Sequence, residues 1–129
     1  MKKIFTLLLV FTFTLGLFSK VDAMGFIEAY NKSSSKPAAI LIYADWAGNL
    51  SSYNANFKKA QAKYKDKYNF VTLNIADSEA RVFNSKYYFF TGIPYIFLIR
   101  NGGKVTKQIP RDCLQSASCI ADKMSTFLK

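Results

Sequence analysis

Apolar positions along this chain follow two different periods, and the switches between them mark the elements. Met24 to Tyr30 carries Phe26, Ile27 and Tyr30 at helical spacing, and Ser33-Ser34-Ser35-Lys36-Pro37 reads as a loop. Ala38 to Ala44 (AAILIYA) is a continuous apolar run, the pattern of a strand covered on both faces. From Leu50 the period changes. Leu50, Tyr53, Phe57, Ala60 and Tyr64 fall at steps of 3, 4, 3 and 4, which predicts one apolar stripe on a helix of about five turns. Lys58, Lys59, Lys63, Lys65 and Lys67 gather in its later half, where cations suit the negative end of the helix dipole.

Val71, Leu73 and Ile75 alternate with Thr72 and Asn74, so 70–76 reads as a second strand. Asp77 or Ser78 can cap a short helix whose inner face is Ala80, Phe83 and Tyr87. Tyr95 to Ile99 (YIFLI) predicts a third strand. Asn101-Gly102 then predicts a hairpin turn, because both central residues of such a turn need positive φ. Lys104 to Ile109 returns as a polar-faced strand. Ser116 to Leu128 closes the chain as an amphipathic helix with Ile120, Met124, Phe127 and Leu128 inward. The order α-β-α-β-α-β-β-α implies parallel strands joined by helices, then a hairpin, with helices on both faces of a small mixed sheet.

The first 23 residues read differently. Lys2 and Lys3 precede an apolar run from Ile4 to Phe18, and Val21 and Ala23 then supply the small residues that a signal peptidase reads. The expectation is a secretory signal over 1–23 and one domain over 24–129. An uncleaved anchor is the rival, but a spanning helix needs roughly 20 apolar residues. Met24 stands where a lipid-anchored product would need a cysteine. Export implies a periplasmic or secreted location and an oxidising compartment in which a disulfide persists.

Charge and composition narrow the chemistry. The 18 Lys plus Arg against 8 Asp plus Glu give a net +10; loss of the first 23 residues removes three of those bases and one acid, leaving +8. This charge is spread along the chain and implies solubility, with a weak attraction to anionic surfaces. Nucleic acid is not the expected partner of an exported chain, despite 8 Tyr and 12 Phe. The run Tyr87-Tyr88-Phe89-Phe90 is either an exposed aromatic cluster or core on alternate residues. There is no histidine, so Ser-His-Asp and Cys-His catalysis and His-ligated zinc are excluded. With two cysteines as the remaining soft ligands, no metal is expected, and nothing in the sequence asks for a cofactor. Asn101-Gly102-Gly103-Lys104 lacks the frame of a phosphate loop. Asp45 is the only acid expected near a groove, and one carboxylate makes no acid/base pair.

Cys113 and Cys119 leave three readings open. Both on one helix would be about 9 Å apart along its axis, too far for a disulfide. With Cys113 in a loop and Cys119 in the first turn after a Ser116 cap, the gap could close to make a structural staple. A redox-active pair and two free thiols are the alternatives.

Three segments together resemble the thioredoxin family: Ala38 to Trp46 is similar to the strand leading into its W-C-G-P-C site, Val71 to Ala76 to its middle strand, and Thr91-Gly92-Ile93-Pro94 through Gly103 to its cis-proline segment and following hairpin. The likeness covers roughly Phe26 to Leu128 and implies a thioredoxin-like three-layer α/β/α sandwich with a mixed, four-stranded sheet, the family's first strand being missing. Where the family has C-G-P-C, this chain reads Ala47-Gly48-Asn49-Leu50. Its buried acid aligns with Leu41, and Asn49 takes the proline's place as an N-cap for the long helix. The resemblance therefore implies a site without dithiol exchange, since no thiolate can form there.

It also implies a retained docking surface at Trp46, Gly92, Ile93 and Pro94, with a cis Ile93-Pro94 bond. The leading expectation is an exported, redox-inactive domain that binds an extended polypeptide or an envelope protein partner. Trp46 and Pro94 could instead merely pack over the sheet end. An oxidoreductase using Cys113 and Cys119, or a structural component of an envelope assembly, are the other readings.

Overall fold

Strict alternation along two central strands divides the core in two, and that division sets the architecture. The computed structural model describes residues 24–48, 50–87 and 92–129. Its sheet holds β1 (Ala38–Tyr43), β2 (Asn69–Asn74), β3 (Tyr95–Arg100) and β4 (Val105–Ile109), in the spatial order β2-β1-β3-β4. Successive side chains of a strand point to opposite faces. Ala39 and Leu41 of β1 and Ile96 and Leu98 of β3 therefore face one way, with Tyr53, Phe57, Ile120, Met124 and Phe127 packed over them. Ala38, Ile40 and Ile42, with Tyr95, Phe97 and Ile99, face the other, under Phe26, Ala29, Ala80 and Phe83.

Two helices cover each face. On the first lie α2 (Leu50–Tyr64) and α4 (Ala117–Phe127); on the second, α1 (Phe26–Lys32) and α3 (Ser78–Tyr87). A 3₁₀ helix, Arg111–Gln115, joins β4 to α4. The three layers and the four-stranded mixed sheet are those expected. Among the described residues no strand precedes α1, and no helix is long and apolar enough to cross a membrane. The expected signal over 1–23 lies outside the described residues.

Three expectations are corrected. Helices were expected to join parallel strands, but only β1 and β2 are parallel; β3 pairs antiparallel with β1, Ile42 opposite Tyr95 and Ala38 opposite Ile99. Helix α3 leaves the end where β2 stops and runs about 15 Å, until the Tyr87 hydroxyl donates to the Gly103 carbonyl (2.8 Å) at the sheet's other end. The chain must then return before β3 starts, so β3 begins at the end where β2 finished.

The second concerns α2, which stops at Tyr64 after about four turns. Lys67 and Tyr68 both return their N–H groups to the Tyr64 carbonyl (2.9 and 3.0 Å), so Lys65 and Lys67 lie in the turn beyond the helix. That turn swings Tyr68 inward, where its hydroxyl donates to the Met124 carbonyl at 2.6 Å. The third is the hairpin. Arg100 pairs with Val105, so its loop has four residues, and Asn101, Gly102 and Gly103 all take positive φ (56°, 68° and 85°). A Cβ on Gly103 would run into the ring of Tyr30 and the hydroxyl of Tyr87.

Tyr87 is half-buried and packs on Phe83 and Phe97, with ring centroids 5.4 and 4.8 Å away, so the aromatic run starts as core. Tyr88, Phe89 and Phe90 lie outside the described residues. Phe83 is the hub of this face, meeting Phe26 and Phe97 edge-on at 5.4 and 5.2 Å. Phe83→Ala should cost about 3–5 kcal/mol, read as a lowered midpoint in urea unfolding.

Burial, reinforced by the neighbouring Tyr30, pushes the Tyr87 hydroxyl up to about 12. Its folded pKa lies above the unfolded one, so its contribution is complete below about pH 10 and is lost as pH rises toward 12, because the unfolded chain gives up the proton first. Unfolding measured across that window should show a fall in stability that Tyr87→Phe reduces.

Candidate functional site

The groove forms where three chain segments leave the same end of the sheet. After β1 the chain turns through Ala44 to Gly48, closed by the Ala47 N–H on the Ala44 carbonyl at 3.1 Å. Trp46 projects from this turn with 75% of its surface exposed, although a tryptophan is ordinarily among the more buried side chains. Tyr53, in the first turn of α2 and nearly buried, helps line the groove beside it.

On the neighbouring strand the last registered β1–β3 pair is Ile42 with Tyr95, so Ile93 and Pro94 lie just beyond the ladder. The Ile93–Pro94 bond is cis, and Gly92 before it has a φ of 89°. Pro94 is buried and Ile93 half-buried.

The third segment follows β4. Pro110 leads into the 3₁₀ helix, whose Arg111, Asp112 and Gln115 form the polar wall of the groove. Together these residues enclose about 380 Å³, within the usual range for ligand pockets. The groove thus has one aromatic and aliphatic side and one polar side bearing a charge of each sign.

Three contacts hold the polar wall. Leu114, fully buried, anchors it in the core. Asn56 of α2 donates its Nδ2 to the Leu114 carbonyl at 2.8 Å. Cys113 and Cys119 form a disulfide, with Cα atoms 5.4 Å apart. The spacing closes because Ser116 is extended (φ −131°, ψ 120°) between the 3₁₀ helix and α4, so the two cysteines share no helix axis. The Ser116 hydroxyl also caps α4 by accepting the Cys119 N–H at 3.2 Å. Of the three readings for these cysteines, the two free thiols are ruled out; the pair is bonded, as a structural staple or a redox-active pair each would be.

Of the residues singled out in the sequence, the structure brings Trp46, Ala47, Gly48, Ile93 and Pro94 together around the groove. Leu50 is half-buried at the start of α2, and Gly92 is exposed; neither is among the described lining residues. Asn49 lies outside the described residues. Asp45, expected as the only acid near the groove, does not line it and instead accepts the Asn74 Nδ2 at 3.0 Å across the tips of β1 and β2. The groove's acid is Asp112.

Leu41 is buried against α2 and α4, a hydrocarbon with no proton to give. None of the described lining residues carries sulfur. Among the described residues no three His, Cys, Asp or Glu side chains gather to hold a metal ion. Sequence reasoning missed the polar wall; its only local signals were Pro110 at a helix start and the apolar pair Cys113-Leu114 within RDCLQ.

No protein-family model and no curated protein matches the chain in sequence. Solved structures match it in shape. A chain of the ferredoxin:thioredoxin reductase and thioredoxin f2 complex superposes with a TM-score of 0.65 at 14% identity, covering 81% of this chain and 88% of that one. The fold is thioredoxin-like. Oxidised thioredoxin O2 from Arabidopsis thaliana gives 0.61 at 18% identity over 81% and 87% of the two chains. The thioredoxin of Malassezia sympodialis gives 0.61 at 14% identity over 79% and 84%.

This thioredoxin-like domain keeps its one disulfide in the wall of the groove. Replacing both Cys113 and Cys119 by serine should lower stability by about 2 kcal/mol for so short a loop. Urea unfolding of the double variant, compared with the unreduced protein, checks this.

Proposed function

We propose that this chain is exported and acts as a redox-inactive, thioredoxin-like domain that holds an extended polypeptide segment in the groove. The observation that carries the reading is the exposed Trp46 standing beside Ile93 and the cis Pro94. A large aromatic ring kept in water next to an apolar cleft is a binding surface in waiting, since its burial gains more than any other side chain's. Ile93 lies beyond the end of the sheet's own pairing. An extended segment laid there can continue strand-like hydrogen bonding, with main-chain contacts giving affinity and pockets giving specificity.

Redox inactivity is supported by the lining itself. Ala47 and Gly48 border the groove where the resembled family places the first cysteine and its neighbour, and neither can form a thiolate. The existing sulfur pair is bonded, and Cys113 is buried behind the polar wall. Export is supported by the charged start, short apolar run and small-residue end of 1–23. A thioredoxin occurs in complex with a reductase among the matching structures, so a protein partner suits the fold.

The test is binding of fluorescent unfolded peptides, free of cysteine, followed by anisotropy. Trp46→Ala should weaken binding by about tenfold or more. Gly48→Leu should also weaken it by filling the groove, since a Cβ on Gly48 meets nothing within 4 Å and the fold tolerates it. Peptide binding indifferent to both substitutions overturns the reading. In a parallel disulfide-reduction assay the protein should show no turnover; turnover abolished by Cys119→Ser would make Cys113 and Cys119 a catalytic pair instead. Intact mass of the exported protein should begin at Met24.

A further inference from the structure

The two ends of the sheet carry opposite charge character. At the groove end lie four of the acids: Asp45 after β1, Asp77 after β2, Glu79 at the start of α3 and Asp112 in the 3₁₀ helix. The far end is basic. Lys36 precedes β1, Lys65 and Lys67 precede β2, Lys104 lies in the β3–β4 loop, and Lys32 and Lys86 end α1 and α3.

Contacts fix this grouping. Lys36 Nζ donates to the Lys65 carbonyl at 3.3 Å, tying the two loops together. Lys86 sits over the Tyr30 ring at 4.3 Å, and Tyr87 beside it reaches Gly103 next to Lys104. Two acids face these lysines: Glu28, which pairs with Lys32 at 2.9 Å, and Asp66, between Lys65 and Lys67. The Lys32–Glu28 bridge is the only one among the described residues, so the other five lysines have no acidic partner there.

We propose that this lysine end docks on an anionic lipid bilayer and holds the domain with its groove turned away from the membrane. Charge complementarity names the occupant, and three features of the end favour lipid over other polyanions. The cations are lysines, compact and strongly hydrated, which suit adsorption to a charged surface more than bidentate recognition. The one guanidinium at this end, Arg100, is held over the Phe127 ring at 5.2 Å.

Aromatic rings described at this end are engaged in the fold: Tyr68 and Phe127 are buried, and Tyr64 gives its hydroxyl to the Ala121 carbonyl at 3.2 Å. Among the described residues these rings leave no platform for stacked nucleic-acid bases. Finally, the exposed large hydrophobic residues described, Ile27 and Trp46, are both toward the other end. Among the described residues the lysine end therefore presents no apolar anchor of the kind on which a tight protein interface depends. The acids near the groove are repelled by the same bilayer, so the charge asymmetry sets the orientation as well as the attraction.

Co-sedimentation of the exported protein, beginning at Met24, with vesicles tests this, comparing phosphatidylglycerol in phosphatidylcholine with phosphatidylcholine alone. Two charge-matched variants are used. One reverses Lys36, Lys65 and Lys104 to glutamate; the other reverses Lys58, Lys59 and Arg81, away from that end. The unaltered chain should favour the anionic vesicles, and that preference should fade at about 0.5 M salt. The first variant should lose it, by about fivefold per lysine removed, while the second keeps most of it. If circular dichroism shows that a glutamate set has unfolded, glutamine sets make the same comparison.

Trp46 is the only tryptophan and reports orientation. Its emission should stay unshifted when the vesicles bind. Equal loss in both variants, no preference for anionic vesicles, a blue shift of Trp46, or displacement of the protein from vesicles by equimolar duplex DNA would each overturn the proposal.

Discussion

Strand β1 has neither a face nor an edge open to water, and the rest of the molecule is arranged around that fact. Its residues from Ala38 to Ile42 are at most 1% exposed. Backbone groups buried so deeply must be paired, because a lone amide in an apolar interior costs several hydrogen bonds' worth of net stability. β2 on one side and β3 on the other supply those partners. The two faces must then each be roofed by helices, which is why a chain with an AAILIYA segment is committed to three layers.

That same constraint creates the site. Pairing of β1 with β3 stops at Ile42 opposite Tyr95, and within a few residues of that pair the chain turns out to the surface at Asp45-Trp46 and Gly92. The segments leaving β1 and β4, and the one entering β3, are pushed to the surface at one end, where they surround a cleft. Two of them put apolar groups there, Trp46 from one and Ile93-Pro94 from the other. The third puts Arg111, Asp112 and Gln115 opposite, and is itself short and irregular. It keeps its shape through Leu114 in the core, the Asn56 hydrogen bond and the Cys113–Cys119 link to α4. In this molecule the bonded sulfur pair links the wall of the cleft to α4.

Charge is organised along the same axis as the strands. Loops at the groove end must turn tightly after β1 and β2: the Asp45 carboxylate accepts from Asn74 across those turns, and Asp77 closes the second through main-chain bonds with Asn74 and Ala80. Loops at the other end carry lysines. The result is a domain with a cleft at one pole and a cationic surface at the other.

Local pattern alone settled most of the elements. Period 2 along β2, a continuous apolar run in β1 and β3, and the 3-4-3-4 stripe of α2 each dictate an element without reference to anything distant, because each is a rule about which side of a local structure meets water. The absence of histidine, and of sulfur at positions 47 and 50, was equally final, since no fold can add a functional group. Tertiary structure decided what depends on residues far apart in the chain. The direction of β3 was set by where α3 ends, at Tyr87 against Gly103, a contact between residues 16 apart that no local period encodes. The polar wall owes its place to Leu114 and Asn56, 58 residues apart, and Asp112 rather than Asp45 became the groove's acid for that reason. Sequence determines the chemistry and the local geometry, whereas the meeting of distant segments is decided only when burial of the shared core has chosen which ends of the elements lie together.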